Sequence, residues 1–395
     1  MENNLLAPEI QQFIRDHEHD DEKALVLRQK TILNVPAASI AEQIRGRRKA
    51  KDKIPSYYAE TGILYPPGLN LEQSSSEETA VYKSDLLPSN NSNGVDLTGG
   101  FGIDSLFLSR RAKKFFYVEP NAALLNIARH NHSRLGATNI DHINATAEEF
   151  LRNHAGNIDF VFIDPSRRSA SNQKTYRLSE TEPDITRLQD VIFEKSDFLL
   201  IKASPWLDIR QGLAELRYVK AVYVVSCGNE CKEILFLSQK GHFEEPAIVT
   251  INLTSTGRQE LIFSLADEKN LHLHYAEPGN YLFEPNASIL KAGAFKTPAA
   301  AYNLSKLSGN THLYTGPLNL DFPGRVFEVV AYVKSDAKIV HQHVKNGKAN
   351  VLTRNYPLTP DALKKKLKLN DGGDDYVIAF SGEKDKYIAV AKRLK

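Results

Sequence analysis

From Gly94 onward the chain alternates short strand-like segments with helical ones, and few folds accept that pattern. "GVDLTG", "FFYVEP", "IDHINA", "IDFVFIDP", "FLLIKASP" and "AVYVVSC" are β-branched or aromatic, and stretches such as "NAALLNIARHNHSRLG" separate the first several. Strands joined through helices lie parallel in one sheet, with the helices on its faces. After about residue 222, "EILFLSQ", "AIVTINL" and "ELIFSLAD" follow one another without an obvious helix, so the sheet should end in antiparallel strands. The fold class is α/β.

The flanks read differently. Residues 1–93 form an N-terminal helical region: "APEIQQFIRDH" and "AASIAEQIRGRRKAKDK" space apolar residues by three and four. Ser74 and Ser75 each precede a glutamate by three residues (Glu77, Glu78), which is capping-box spacing, so a helix should start there. "LPSNNSNG" is a loop by composition. Around Glu277 the pattern shifts again. "RVFEVVAYV" is a strand, "TPDALKKKLKL" offers Thr359 as N-cap with Pro360 at the first helical position, and "DDYVIAFSGEKDKYIAVAKRL" closes as a β-hairpin. The domains are expected at 1–93, 94–275, 276–324 and 325–395.

The first strand ends in Asp96 and runs into a glycine-rich turn, "VDLTGGFGID". Glycines there let the backbone approach a ligand. Gly100 and Gly102 fit the first two positions of the dinucleotide fingerprint G-x-G-x-x-G, but the third falls on Ser105. A carboxylate beside a pyrophosphate also costs Coulomb energy. S-adenosylmethionine carries no phosphate but has an ammonium and a sulfonium, which an acid attracts. Glu119 follows Asp96 by 23 residues, at the expected end of the second strand, where a carboxylate can accept both hydrogens of a ribose diol. The turn is therefore expected to hold S-adenosylmethionine.

Residues 95–205 resemble the class I S-adenosylmethionine-dependent methyltransferases. Asp96, Thr98, Gly100 and Gly102 resemble their first motif, with Thr98 replacing the usual first glycine. Glu119 matches the ribose acid. "INATAEEF" matches the third motif, with Thr146 where an acid usually meets adenine and Ala147 beside it. Asp164-Pro165-Ser166-Arg167 resembles the D-P-P-x motif of amino-group methyltransferases. "YPPGLNLEQSSSEETAVYK", "DPSRR", "IKASPWLDI", "NECKEILFL" and "DFPGRVFEV" together resemble a narrower bacterial group with a small ferredoxin-like segment and a C-terminal THUMP-like domain. The resemblance implies a Rossmann-like class I methyltransferase sheet, mostly parallel with antiparallel end strands, and a small α+β C-terminal domain. Because THUMP domains bind RNA in tRNA-modifying enzymes, it also implies an RNA substrate, tRNA or rRNA; the alternatives are a methyltransferase for a protein or small molecule, or a non-catalytic RNA-binding protein with a relic cofactor site.

Several signals leave alternatives open. Asp164 and the Pro165 carbonyl could hold an exocyclic amine so that its lone pair faces the methyl group, which is catalysis by orientation. Asp164 could instead cap the next turn. Arg167 and Arg168 suit phosphate, because a guanidinium fork matches its oxygens, or are solvated. "SCGNEC" raises a nucleophilic Cys227, as in pyrimidine C5 methylation, against a buried inert thiol; no activating base is evident. The basic runs Arg45–Lys53 and Lys364–Lys368, with Lys364, Lys365 and Lys366 at the head of the second, either contact RNA phosphate or form solvated helix faces. Trp206, Phe116 and Tyr57–Tyr58 are expected in cores rather than stacking bases.

Composition bounds the rest. A net charge of +2 over 395 residues gives no global attraction for nucleic acid, so a basic surface must be local. Two cysteines cannot build a disulfide framework or a four-ligand zinc site, and the twelve histidines show no metal spacing. The polar, acidic N-terminus is unlike a signal peptide and no apolar run reaches about 18 residues, so a cytoplasmic protein without membrane or metal partners is expected.

Overall fold

The computed structural model describes residues 2–88, 92–167 and 177–395. The chain forms two compact units: 1–220 with 235–244, and 221–234 with 245–395.

In the first unit the expected parallel strands are β1 (Asn93–Asp96), β2 (Lys114–Val118), β3 (Ile140–Ile143), β4 (Phe160–Ile163) and β5 (Phe198–Ala203). They lie in the order β5-β4-β1-β2-β3, each pair parallel. β4 is buried at every position, as a central parallel strand covered on both faces must be. β6 (Val219–Cys227) and β7 (Glu230–Gln239) meet at Gly228 and Asn229, both at positive φ, and β7 neighbours β5 in the sheet order. Chain order reverses between β1 and β4, and such a reversal opens a crevice at the strands' carboxyl ends.

The N-terminal region is helical as expected, with Pro8–Asp16 and Ala37–Lys53 as its main helices, plus a two-residue strand pair, Thr31–Ile32 with Val35–Pro36, that the sequence pattern did not suggest. Its core runs into the glycine turn: Ala50, Ile54, Tyr57, Ile63, Tyr65 and Leu71 pack with Phe101, Ile103, Leu106 and Phe107. Two buried amides staple the connecting segment. Asn131 bonds both backbone groups of Leu64 (2.9 and 2.8 Å), and Gln43 both of Tyr65 (2.8 and 2.9 Å). The expected helix does start after the serines, at Glu77, but Ser76 is its N-cap. Ser75 is drawn instead into a buried bond with Asp104, and Glu77 accepts from the backbone and hydroxyl of Ser56.

In the second unit, β6 lies parallel to β8 (Ala247–Thr254), which pairs antiparallel with β9 (Gly257–Phe263), as anticipated for the sheet's end. Another sheet holds β10 (Tyr281–Pro285), β11 (Ser305–Ser308), β12 (Thr311–Gly316), β13 (Gly324–Val333), β14 (Asn350–Arg354), β15 (Asp375–Ser381) and β16 (Lys386–Arg393), in the order β11-β12-β10-β13-β16-β15-β14. β15 and β16 form the expected hairpin, and Thr359 and Pro360 start the helix Pro360–Leu367 as read. Glu284, buried on β10, binds both Arg325 and Arg354, and a side chain at Gly324 would strike the Glu284 carbonyl (2.0 Å). Among the described residues, no helix is long and apolar enough to cross a membrane.

Candidate active site

The crevice at the strand reversal is a cleft of about 380 Å³, within the range of roughly 300–1,000 Å³ usual for small-ligand sites. Each strand end supplies part of its wall: Asp96 and the 97–104 turn after β1, Glu119 after β2, Thr146 and Ala147 after β3, Asp164 and Ser166 after β4. The N-terminal segment contributes Asn70, Gln73, Ser74 and Ser75.

Asp96 is buried. Its Oδ1 accepts from the Thr98 backbone (2.9 Å) and hydroxyl (3.3 Å), and its Oδ2 from the Ser105 hydroxyl (2.5 Å). Burial pushes its carboxyl up to about 7, against the pull of the Ser105 and Thr98 bonds. The Thr98 hydroxyl in turn accepts from the Asp164 backbone amide (2.6 Å), tying the end of β1 to the end of β4. A glycine could not make that tie, which accounts for threonine at this position.

Gly100 and Gly102 both sit at positive φ. A side chain on Gly102 would lie 2.5 Å from Nε2 of the buried His132. That nitrogen donates to the Gly102 carbonyl (2.8 Å), which leaves Nδ1 to accept from His142 Nε2 (2.9 Å). Burial lowers His132 to about 3, so the ring stays neutral beneath the turn. Glu119 Oε2 accepts from the Gly100 amide (3.0 Å) and Oε1 from the Asn121 amide (2.8 Å). One lone pair on each oxygen remains for a diol. Burial raises the Glu119 carboxyl. Thr146 caps the helix Ala147–Asn153, its hydroxyl accepting from the Glu149 amide (3.2 Å). Its side chain is thus committed to the capping box, and what borders the cleft beside it is Ala147.

Asp164 meets a partner that the sequence reading missed. Its Oδ2 lies 2.5 Å from Lys202 Nζ, on the neighbouring strand β5. Lys202 also lies 3.8 Å from Asp104, and the fully buried Lys83 lies 3.2 Å from the other Asp104 oxygen. Ser75 donates to Asp104 (2.7 Å) and accepts from Lys83 (3.1 Å). Burial alone would raise the Asp104 carboxyl, but the ammonium groups of Lys83 and Lys202 outweigh it and hold the carboxyl below its ordinary value. The signal was a lysine inside an apolar strand, "FLLIKASP".

Other sequence candidates fall elsewhere. Ser166 and Arg167 form a short strand against Thr181–Glu182, while Arg168 lies outside the described residues. The run Arg45–Lys53 is largely consumed inside the N-terminal region and is not the open basic face considered for RNA. Arg47 pairs with Glu18, Arg45 and Arg48 with Glu22, Lys49 with Glu72, and Lys53 with the carbonyls of Leu71 and Glu72. Phe116 and Tyr57 are core residues as expected, and Tyr58 lies under Arg47. Trp206 is 66% exposed, contrary to the core placement expected of it.

In the second unit, Lys364 is held by Asp361 and Asp371, whereas Lys365 and Lys366 are exposed. "SCGN" is the corner of the β6–β7 turn, where Asn229 bonds Asn252 and Ala287 (2.9 and 2.8 Å). Burial pushes the Cys231 thiol up to about 11, so it stays protonated near neutral pH.

The cleft suits S-adenosylmethionine. Acids line it and, among the described residues, no lysine or arginine does, so cationic sulfonium and ammonium groups are matched and a pyrophosphate is not. Fold and cleft together define a class I S-adenosylmethionine-dependent methyltransferase. Family profiles match residues 89–215 (conserved hypothetical protein 95), 281–323 (ferredoxin-like domain) and 324–393 (THUMP domain-like). The crystal structure of a candidate methyltransferase from Porphyromonas gingivalis W83 is similar with a TM-score of 0.86 and 29% identity, covering 100% of this chain and 99% of that one. An uncharacterised S-adenosylmethionine-dependent methyltransferase of Mycobacterium tuberculosis H37Rv is 24% identical over 283 residues, 69% of this chain and 73% of its own. Its catalytic region is that of a class I methyltransferase, followed by stretches similar to a ferredoxin-like domain and a THUMP-like domain.

The Asp96 carboxyl makes cofactor affinity pH-dependent. A cation nearby favours the ionised form, so binding releases a proton wherever free Asp96 is protonated. Affinity for S-adenosylmethionine is expected to level off near pH 7 and to fall about tenfold per unit below it. Calorimetry from pH 5.5 to 7.5 should show this slope in the wild type and a shallower profile in Asp96→Asn.

Proposed function

We propose that this enzyme methylates an exocyclic amine of a base in structured RNA, such as tRNA or rRNA. The observation that carries the amine is the state of Asp164. Lys202 occupies Oδ2 and leaves Oδ1 without a partner among the described residues, beside the cleft. Bound in the cleft, S-adenosylmethionine supplies an electrophilic methyl group. Asp96 and the 98–102 turn hold its methionine end, Glu119 its ribose, and the backbone at Thr146 and Ala147 flanks adenine. Asp164 Oδ1 and the Pro165 carbonyl each accept one N–H of the amine, which fixes the nitrogen lone pair toward the cleft. A paired target base must be flipped out of its helix to reach that position.

The THUMP-like match over 324–393 supports RNA as the substrate class, with Lys365 and Lys366 as exposed phosphate contacts. Arg167 and Arg168, which follow Asp164 closely in sequence, are proposed as further phosphate ligands. The deciding experiment is tritium transfer from labelled cofactor into RNA, protein and small-molecule fractions of cells lacking the enzyme. Label confined to the protein or small-molecule fraction overturns the RNA reading. The Lys365→Glu/Lys366→Glu variant is expected to weaken RNA binding with cofactor affinity unchanged. The salt slope should fall by about 0.7–0.9 for each phosphate that is no longer neutralised. Charge reversal is a cleaner test than truncation at Arg325, which would split the β10–β13 pair and strand Glu284.

A further inference from the structure

The methionine end of S-adenosylmethionine is a zwitterion, and the cleft answers only half of it in an obvious way. Asp96, Asp104, Glu119, Glu148, Asp164 and Glu182 line the space, and an ionised carboxylate is an acceptor only. The cofactor's own carboxylate needs donors, and among the described residues no lysine or arginine lines the cleft to supply them. Most of the neutral side-chain donors are already spent. The Thr98 hydroxyl bonds Asp96, the Ser75 hydroxyl bonds Asp104, and the Ser74 hydroxyl donates to the Leu71 carbonyl (2.7 Å).

Apart from the Thr146 hydroxyl on the wall after β3, two side chains remain. Asn70 and Gln73 line the cleft, and their amides are not engaged in the bonds that occupy their neighbours. The short helix that carries them, Gly68–Gln73, is also firmly placed. Leu71 is buried in the N-terminal core, Lys53 Nζ donates to the carbonyls of Leu71 and Glu72 (2.9 and 2.8 Å), and the adjoining Ser75 is locked to Asp104 in the first turn after the glycines. A neutral amide donor also adds no positive charge to a site whose other task is to hold a sulfonium.

We infer that Asn70 and Gln73 bind the carboxylate of the cofactor's methionine end, so that the N-terminal helical region completes the cofactor site. The inference rests on the cofactor assignment. If the wild type binds no S-adenosylmethionine, both fall together. If it binds, only the inference is at stake.

The test compares S-adenosylmethionine with its decarboxylated form, which keeps the sulfonium and ammonium but lacks the carboxylate. Calorimetry on the full chain should show the Asn70→Ala/Gln73→Ala variant losing about 10- to 100-fold in affinity for S-adenosylmethionine, the range for hydrogen bonds to a charged group. Affinity for the decarboxylated ligand should stay within about twofold. Asn70→Asp, nearly isosteric, should weaken S-adenosylmethionine more than Asn70→Ala does, because it sets two carboxylates against each other, and should not weaken the decarboxylated ligand. Equal losses for both ligands, or no loss for either, overturns the inference.

Discussion

Lys83→Met is expected to cost the protein about 3–5 kcal/mol of stability, the range for removing one member of a buried ion pair. Lys83 has no exposed surface, and its ammonium answers a carboxylate, Asp104, that is itself almost out of water. Methionine fills the space but, among the described residues, leaves Asp104 with only the more distant Lys202 at 3.8 Å and the Ser75 hydroxyl. The deficit should depend on pH in a definite sense. In the wild type the lowered Asp104 carboxyl contributes stability above the unfolded value of about 3.9, lost only as pH falls through its lower folded value. In the variant, burial is no longer outweighed and the carboxyl rises, so the folded state takes up a proton ahead of the unfolded one. The gap between variant and wild type should therefore be larger at pH 8 than at pH 5 in urea unfolding. Adding Asp104→Asn to Lys83→Met should recover part of the loss. A single-variant loss below about 1 kcal/mol would mean that Lys202 moves in to replace Lys83.

Asp164→Ala is expected to lower methyl transfer about 10- to 100-fold, as when one charge-assisted hydrogen bond is removed at the transition state, with cofactor affinity nearly intact. From the motif alone, Asp164→Asn should retain part of the activity, because it keeps one acceptor oxygen. The Lys202 contact changes that expectation. Asparagine's single oxygen is claimed by the ammonium, and the group turned to the acceptor is then an NH₂, which cannot accept from an amine. Asparagine should therefore be about as impaired as alanine. Lys202→Met added to Asp164→Asn frees the oxygen to turn, and should restore part of the rate. Transfer of label to total RNA, with calorimetry for cofactor binding, reads both effects. Cys227→Ser should remain close to wild type. A dead Cys227→Ser with an active Asp164→Ala would replace amine orientation by a covalent adduct on carbon.

Local pattern carried the architecture. β-branched segments separated by amphipathic ones dictated parallel strands, because a helical crossover returns the chain in the same direction. Acids written at strand ends, Asp96, Glu119 and Asp164, come together at one edge of the sheet by topology alone. Thr359-Pro360 likewise started its helix as read, since capping and φ restriction act within a few residues.

What the tertiary structure decided lies in the partners. Lys202 sits 38 residues beyond Asp164, and only the pairing of β4 with β5 shows which acid it faces. The motif Arg45–Lys53 reads as a basic face until the fold brings Glu18, Glu22 and Glu72 against it. Thr146 sat where the third motif meets adenine, but its hydroxyl is taken by a helix cap three residues away. Asn70 and Gln73 lie before the β1 motif, and docking of the N-terminal helices brings them to the cleft. Sequence spacing sets which face or end a residue occupies, because backbone geometry is periodic. Which charge meets which depends on strand register and on the packing of distant elements, and no local period encodes either.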